Sequence, residues 1–237
     1  MDASDVEVVT VLGAGNMGHG IAEVAAIAGY EVRMRDVEQS FVDDGLESVE
    51  WSLGKLVEND RVTREEADAA RERLTGHVDL GAAVEDTDVV VEAVPERMDV
   101  KREVYAELEA AAPDDAVFAS NTSSISITDL AAETERPERF CGMHFFNPPV
   151  KMELVEVISG DETAAETLDL IEGLAESMDK TPVRVRKDTP GFIVNRVLVP
   201  PMNEAAWLVH EGEATLAEGD SAARYEVGMP MGGFELA

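Results

Sequence analysis

One histidine of this chain has neighbours that could form an acid–base pair with it. His144 ends an apolar, strand-like run, and Glu156 follows 12 residues later, after two consecutive prolines that would let the chain fold back. If two adjacent strands bring these side chains together, the carboxylate raises the basicity of the imidazole and leaves its other nitrogen to accept a proton. Spacing alone supports a structural His–Glu pair at least as well as a catalytic one.

A second group of residues is typical of a nucleotide-binding turn. Gly13, Gly15 and Gly18 follow a short β-branched run at residues 6–12 and precede a helical pattern, and Asp36 ends the next short strand. In such a turn the first glycine permits the tight bend, the second lets the backbone approach a pyrophosphate, and the third lets helix and strand pack closely. The predicted cofactor-binding loop consists of Gly13, Ala14, Gly15, Asn16, Met17 and Gly18.

The acid at the end of the second strand indicates which dinucleotide binds. A carboxylate at Asp36 would accept hydrogen bonds from the ribose hydroxyls and would repel a 2′-phosphate. The sequence therefore predicts NAD rather than NADP, although Arg33 and Arg35 stand close by.

The elements that must position these groups alternate between strands and helices. Strand patterns occur at residues 88–94, 117–120, 140–146, 154–158 and 181–185, with helical patterns at 99–112 and 162–178. Repeated βα units imply a parallel sheet whose carboxyl ends hold the ligand. Several polar residues fall at predicted strand ends: Glu92, Glu96, Asn121, Ser123, Ser124, His144 and Asn147.

Two features depart from simple alternation. A helical hairpin at residues 41–56 and 63–74 is inserted after the second strand, and it either reaches over a ligand or decorates the surface. Asp188 to Gly191 breaks the pattern before a long apolar helix. The predicted fold is an α/β, Rossmann-like doubly wound sheet with a helical-hairpin insertion in residues 1–187. An all-helical C-terminal domain that we expect to be incomplete follows in residues 188–237.

The composition is strongly acidic. Nineteen Lys and Arg residues against 50 Asp and Glu residues give a net charge of −31. Nucleic acids and anionic membranes select for positive surfaces, so neither is an expected partner. We interpret the charge as adaptation to high salt, since at about 1 M salt the Debye length is only about 3 Å. The alternative is an acidic protein from an ordinary environment.

Other features narrow the chemistry. The single cysteine, Cys141, excludes an internal disulfide and is expected to be a buried, inert thiol. His19, His77 and His210 are interpreted as non-catalytic, and no ligand spacing favours a metal. No signal peptide or apolar run of about 18 residues is present, which predicts a soluble, cytoplasmic protein.

Six ordered motifs resemble the L-3-hydroxyacyl-CoA dehydrogenase family over nearly the whole chain. They are the glycine loop, Val90-Val-Glu-Ala-Val94, Ser120-Asn-Thr-Ser-Ser124, His144-Phe-Phe-Asn-Pro148, Leu154-Val-Glu-Val-Ile158 and Asp188-Thr-Pro-Gly-Phe-Ile-Val-Asn-Arg196. The resemblance implies oxidation of a 3-hydroxyacyl-CoA, with 3-hydroxybutyryl-CoA as the first candidate, in a protein that is a homodimer when full-length.

The resemblance also implies roles for individual residues. His144 is the base and Glu156 its partner, while Ser123, Asn147 and Asn195 orient cofactor and substrate. Further implied contacts are Glu96 and Lys101 with the nicotinamide ribose side, and Ser52 and Lys55 with coenzyme A.

Two departures from the family pattern leave alternatives open. Asn59 stands where a basic residue is common, which favours a related dehydrogenase of a free hydroxy acid or sugar acid. The family's helical domain continues well past the segment from Pro230 to Glu235, and this chain does not. That difference favours a non-catalytic NAD-binding fragment and makes a homodimer doubtful for this chain.

Overall fold

The computed structural model describes residues 1–236. By its internal contacts the chain divides into two compact units, Met1–Pro190 and a second unit that begins at Gly191. No helix among residues 1–236 combines the length and the apolar character that a membrane crossing requires.

The first unit is built on one eight-stranded sheet. Its strands are β1 (Val8–Leu12), β2 (Glu31–Arg35), β3 (Leu74–His77), β4 (Val89–Glu92), β5 (Val117–Ser120), β6 (Phe140–Phe145), β7 (Leu154–Ile158) and β8 (Thr181–Val185). They lie in the order β3-β2-β1-β4-β5-β6-β7-β8. All neighbours are parallel except β6 and β7, which pair antiparallel. The predicted α/β, Rossmann-like fold with helices after the sheet is confirmed.

The helices of this unit connect the strands. They are α1 (Asn16–Ala28), α2 (Gln39–Glu58), α3 (Arg64–Arg73), α4 (Leu80–Val84), α5 (Met98–Ala111), α6 (Ile127–Ala131) and α7 (Ala165–Ser177). Gly29 ends α1 in the left-handed conformation, and Thr63 begins α3 with a reciprocal capping box to Glu66.

Strand β3 is absent from the sequence-based prediction, which ran the second helix of the hairpin to Leu74. The hairpin α2–α3 is thus the crossover from β2 to an edge strand rather than an insertion beyond one. The pattern misses β3 because the strand is only four residues long, contains Gly76, and has no buried residue that would set an alternating pattern.

The central strands are buried on both faces. Val9, Val11, Val89 and Val91 are inaccessible to solvent, and strand β6 is buried along its whole length. Such strands appear in the sequence as continuous apolar runs, which is why their positions were predicted well. The buried central part of the sheet holds the carboxyl ends of β1, β4 and β5 at one edge.

The second unit is helical. It contains α8 (Val194–His210), α9 (Leu216–Ala222), a π-helical turn (Ala223–Val227) and α10 (Gly233–Leu236). Thr215 caps α9 with a reciprocal hydrogen bond to Glu218. Helices α9 and α10 both pack against α8.

Candidate active site

His144 and Glu156 face each other across the one antiparallel pair of the sheet. They are direct partners in the register of β6 and β7, so their side chains leave the same face of the sheet. His144 Nδ1 lies 2.8 Å from Glu156 Oε2, and both side chains are almost fully buried. An ionised Glu156 can only accept, so Nδ1 carries the proton and Nε2 keeps its lone pair.

The other ring nitrogen of His144 points to the loop after β5. Its Nε2 lies 3.0 Å from Ser123 Oγ. The sequence reasoning named all three residues, and the structure brings them together in one row: carboxylate, imidazole, hydroxyl. Ser123 is exposed while His144 is buried, so the row runs from the interior of the sheet to the surface.

Glu96 holds the loop that carries Ser123. Its Oε1 accepts the backbone N–H groups of Ser123 and Ser124, each at 3.0 Å, and the hydroxyls of Thr122 at 2.6 Å and Ser124 at 2.9 Å. Burial acts to raise the pKa of Glu96. The hydrogen bond from Thr122, the charge of Lys101 and the contacts from Ser124 and Ser123 more than offset it, so the pKa is below its usual range.

Lys101 lies beneath this loop and not on an open surface. Its side chain is 1% exposed, and its Nζ lies 2.6 Å from Glu92 Oε1 and 3.3 Å from Glu96 Oε2. Glu92 also accepts from the hydroxyls of Tyr105 at 2.9 Å and Ser120 at 2.7 Å. The resemblance assigns Lys101, with Glu96, to the nicotinamide ribose side; the structure places its ammonium group next to Glu96, and its contact with the cofactor stays a prediction.

The glycine loop has the three properties that a dinucleotide requires. A Cβ on Gly18 would lie 1.8 Å from the carbonyl oxygen of Gly13, and Gly13 itself has a φ of +100°. A Cβ on Gly15 would meet nothing within 4 Å, so that face is open. No side chain of the described residues caps the N-terminus of α1, and uncapped N–H groups at a helix N-terminus are suited to bind an anion.

Asp36 lies beside this loop at the end of β2. Its Oδ2 accepts the backbone N–H of Ala14 at 2.8 Å, and its Oδ1 accepts that of Val37 at 2.7 Å. Each carboxylate oxygen can accept a second hydrogen bond, so the group remains able to bind ribose hydroxyls. The loop, the helix end and the acid fit NAD.

A cleft of about 1550 Å³ opens next to the loop, between α1, α2 and the segment around Pro149. Ser52 and Lys55 line it, as does Asn59. Asn59 Nδ2 donates to the carbonyl of Lys55 at 2.6 Å, so this residue closes the end of α2. The lysines that line the cleft are Lys55, Lys151 and Lys180, three of the five in the chain.

The remaining predicted residues are placed differently. Asn147 lies two residues after the end of β6 and is exposed. Asn195 lies in α8, within the second unit. Cys141 is fully buried, and burial raises the pKa of its thiol to about 12.

The sequence analysis did not name two residues that lie at the site: Thr122, whose hydroxyl helps to hold the Ser123 loop, and Glu23, which lines the cleft. A serine- and threonine-rich loop after a strand was the available signal for Thr122.

A parallel sheet with this loop, this helix end and this acid is the architecture of NAD-dependent oxidoreductases. Two family models match the chain: "3-hydroxyacyl-CoA dehydrogenase, NAD binding domain" over residues 8–189 and "3-hydroxyacyl-CoA dehydrogenase, C-terminal domain" over residues 191–237. The chain belongs to the 3-hydroxyacyl-CoA dehydrogenase family.

Individual relatives agree with this assignment. The chain is 41% identical over 236 residues to hydroxyacyl-coenzyme A dehydrogenase, mitochondrial, of Sus scrofa, covering 98% of this chain and 75% of that protein. It is 41% identical to 3-hydroxybutyryl-CoA dehydrogenase of Bradyrhizobium diazoefficiens, covering 99% and 80%. The crystal structure of (S)-3-hydroxybutyryl-CoA dehydrogenase PaaH1 from Ralstonia eutropha superimposes with a TM-score of 0.94 at 39% identity, covering 98% and 81%.

Proposed function

We propose that this protein oxidises the 3-hydroxyl of a short-chain L-3-hydroxyacyl-CoA, with 3-hydroxybutyryl-CoA as the first candidate, and that His144 is the general base. The observation that carries the proposal is the contact of His144 Nδ1 with Glu156 at 2.8 Å. It fixes the tautomer in which Nε2 can take a proton at the edge of the sheet where the cofactor loop lies.

His144, Glu156 and Ser123 have different roles in the proposed reaction. Bound NAD⁺ supplies the acceptor for the hydride that leaves C3 of the substrate. His144 Nε2 takes the hydroxyl proton, and Glu156 stabilises the imidazolium that forms. Ser123 lies 3.0 Å from Nε2 and is placed to hold the substrate oxygen within reach of the base. The products are the 3-oxoacyl-CoA, NADH and one proton.

The dinucleotide and the acyl-CoA substrate are proposed to bind to different surfaces of the protein. The glycine loop and Asp36 bind the dinucleotide, and Asn147 and Asn195 are proposed to orient it and the substrate. Ser52 and Lys55 are proposed to contact coenzyme A along the cleft that they line. In a chain with a net charge of −31 the lining of this cleft includes Lys55, Arg61, Lys151 and Lys180 as well as five acids, and these cations are the groups proposed to face the phosphates of the substrate.

One observation favours a second candidate, a dehydrogenase of a free hydroxy acid. Asn59 closes α2 by donating to the carbonyl of Lys55 and offers no positive charge to a phosphate. Initial rates of NADH oxidation with acetoacetyl-CoA and with free acetoacetate separate the two. We expect turnover of the thioester to be far faster; comparable or faster turnover of free acetoacetate would support the second candidate, and NADH binding without turnover of either would contradict both.

A further inference from the structure

Glu23 lies on α1, about two turns after the glycine loop, and is an unusual residue for its position. The residue is 1% exposed, and its neighbours on the helix, Ile21, Ala22, Val24 and Ala25, belong to the apolar core. Among the described residues, neither oxygen of its carboxyl group has a hydrogen-bond partner. Most buried polar groups in proteins are hydrogen-bonded, so a buried acid without a bond requires an explanation.

Folding stability does not explain this residue. Burial raises the pKa of Glu23 to about 7. The hydroxyl of Ser52 on the facing helix lies close enough to oppose that rise in part, but it does not meet the geometry of a hydrogen bond to either carboxyl oxygen. The nearest titratable group on its own helix, His19, has its Nδ1 at 2.9 Å from the carbonyl of Gly15. A leucine would fill the same volume on α1 without leaving polar atoms unpaired.

The location of Glu23 indicates what it serves. It lines the cleft of about 1550 Å³ between α1 and α2, which Ser52 and Lys55 also line. The lining of the cleft mixes acids with four cations, Lys55, Arg61, Lys151 and Lys180, and Lys55 also pairs with Glu58. The cations suit phosphates, whereas a carboxyl group without a cationic partner repels them. A ligand that satisfies both has an anionic end and an uncharged segment that carries hydrogen-bond donors.

We propose that Glu23 is a further substrate-binding residue, whose carboxyl group accepts a hydrogen bond from an amide N–H or a hydroxyl of the pantetheine arm of the acyl-CoA. The inference rests on the proposed function for the identity of the substrate. The arm carries two amide N–H groups and a hydroxyl between the thioester and the phosphates. The unpaired oxygens of the free protein are then satisfied only in the complex.

Two variants of Glu23 test the proposal. Glu23→Leu removes the acceptor at similar volume and is expected to raise the KM for acetoacetyl-CoA and its Kd by about 10-fold or more, with kcat little changed. Glu23→Gln keeps a carbonyl acceptor and is expected to stay within about 3-fold of the native enzyme. The Kd for NADH is expected to be unchanged in both.

Truncated substrates locate the contact. The Glu23→Leu effect is expected to persist with acetoacetyl-pantetheine, which lacks the nucleotide, and to disappear with methyl acetoacetate, which lacks the arm. An equal effect on the methyl ester, or a Kd for acetoacetyl-CoA within 2-fold of native in Glu23→Leu, would overturn the proposal.

A matched control separates a hydrogen bond from general charge. Glu47 is an exposed acid of α2 on the same cleft. Glu47→Gln removes one negative charge without removing a buried acceptor and is expected to leave the Kd unchanged or slightly improved. Weaker binding by Glu47→Gln equal to that of Glu23→Leu would contradict a specific role for Glu23. Equilibrium binding of acetoacetyl-CoA is read without turnover, so failure of the proposed reaction and failure of this contact are distinguishable.

Discussion

Glu96 accepts the backbone N–H of Ser123 at 3.0 Å, and this contact joins the buried Lys101–Glu92 charge network to the row formed by Ser123, His144 and Glu156. Behind Glu96 lies Lys101, and beyond Ser123 lies His144. The loop geometry at Ser123 therefore depends on a carboxylate 27 residues earlier in the chain.

Glu96→Ala is expected to lower kcat by about 10- to 100-fold, because a small displacement of a positioning group is costly for the rate. Glu96→Gln keeps a carbonyl oxygen for the same donors and is expected to lie between this variant and the native enzyme. Steady-state kinetics and the NADH Kd measure the effect. The control is Asp99→Asn, which breaks the ion pair between Asp99 and Arg97. Both side chains of that pair are more than half exposed, so its loss is expected to matter little. A loss of kcat in Asp99→Asn similar to that in Glu96→Ala would count against the role of Glu96.

His144→Gln is expected to abolish the chemical step while leaving NADH affinity nearly intact. Loss of a positioned base lowers the rate by about 10²–10⁴-fold. Single-turnover rates and NADH fluorescence titration measure the two quantities separately. His77→Gln is the matched control, since His77 contacts Thr75 on the edge strand. A His144→Gln enzyme that retained more than about a tenth of the native rate would refute the assignment.

The Glu156→Gln variant tests whether the carboxylate is needed as the partner of His144. It leaves the imidazole beside a neutral amide, so the conjugate acid of His144 loses its stabilising charge. We expect a lower kcat with a nearly unchanged Kd for NADH, measured by steady-state kinetics and NADH titration. A native kcat in this variant would contradict the role of the carboxylate as partner of the base.

Gly15→Ala and Gly18→Ala are expected to change different properties: Gly18→Ala lowers folding stability, and Gly15→Ala weakens NADH binding. A Cβ on Gly18 would lie 1.8 Å from the oxygen of Gly13, so that variant loses about 1–3 kcal/mol of stability or more. A Cβ on Gly15 meets nothing within 4 Å, so stability stays within about 0.5 kcal/mol of native. NADH binding by Gly15→Ala is nevertheless expected to weaken at least 10-fold, because the methyl group occupies the space that the pyrophosphate needs. Urea unfolding and NADH titration of both variants decide it; native affinity in Gly15→Ala would exclude the loop as the phosphate site.

Burial of Glu23 predicts a pH dependence of stability. Its pKa is raised from 4.5 to about 7 in the folded protein, so between these values the folded state holds a proton that the unfolded chain has lost. Stability therefore falls as pH rises from about 4.5 to 7, by up to about 3 kcal/mol, and the contribution is constant above that range. Glu23→Gln is expected to flatten this slope in urea unfolding at several pH values in molar KCl, and Glu47→Gln is expected to leave it. Identical slopes for Glu23→Gln and native protein would contradict a raised pKa.

The net charge of −31 on 237 residues predicts a melting temperature that rises steeply with salt. At 0.01 M salt the Debye length is about 30 Å, so charges across the surface repel one another, whereas at 1 M it is about 3 Å. Calorimetry from 0.01 M to molar KCl tests the hypothesis of adaptation to high salt. A melting temperature that is flat across this range would remove it.

Much of the fold could be predicted from the sequence, because many of its elements are specified by short continuous segments. Strands β5, β7 and β8 coincide with the predicted ranges because each is a short run bounded by turn residues. The glycine loop and Asp36 were also predictable. Their roles depend on backbone freedom and on the length of one βα unit, both of which are properties of a continuous segment.

The tertiary structure alone decided how distant residues meet. The antiparallel pairing that places His144 opposite Glu156 is a matter of register between two strands, and a shift of one residue would separate them. Strand β3 was missed because an edge strand needs little apolar pattern. Burial of Lys101 and Glu23 depends on which elements cover α5 and α1, and helical periodicity does not specify that cover for a charged residue. The sequence therefore determined which groups are present and in which elements, whereas packing decided which of them reach a ligand and which only support those that do.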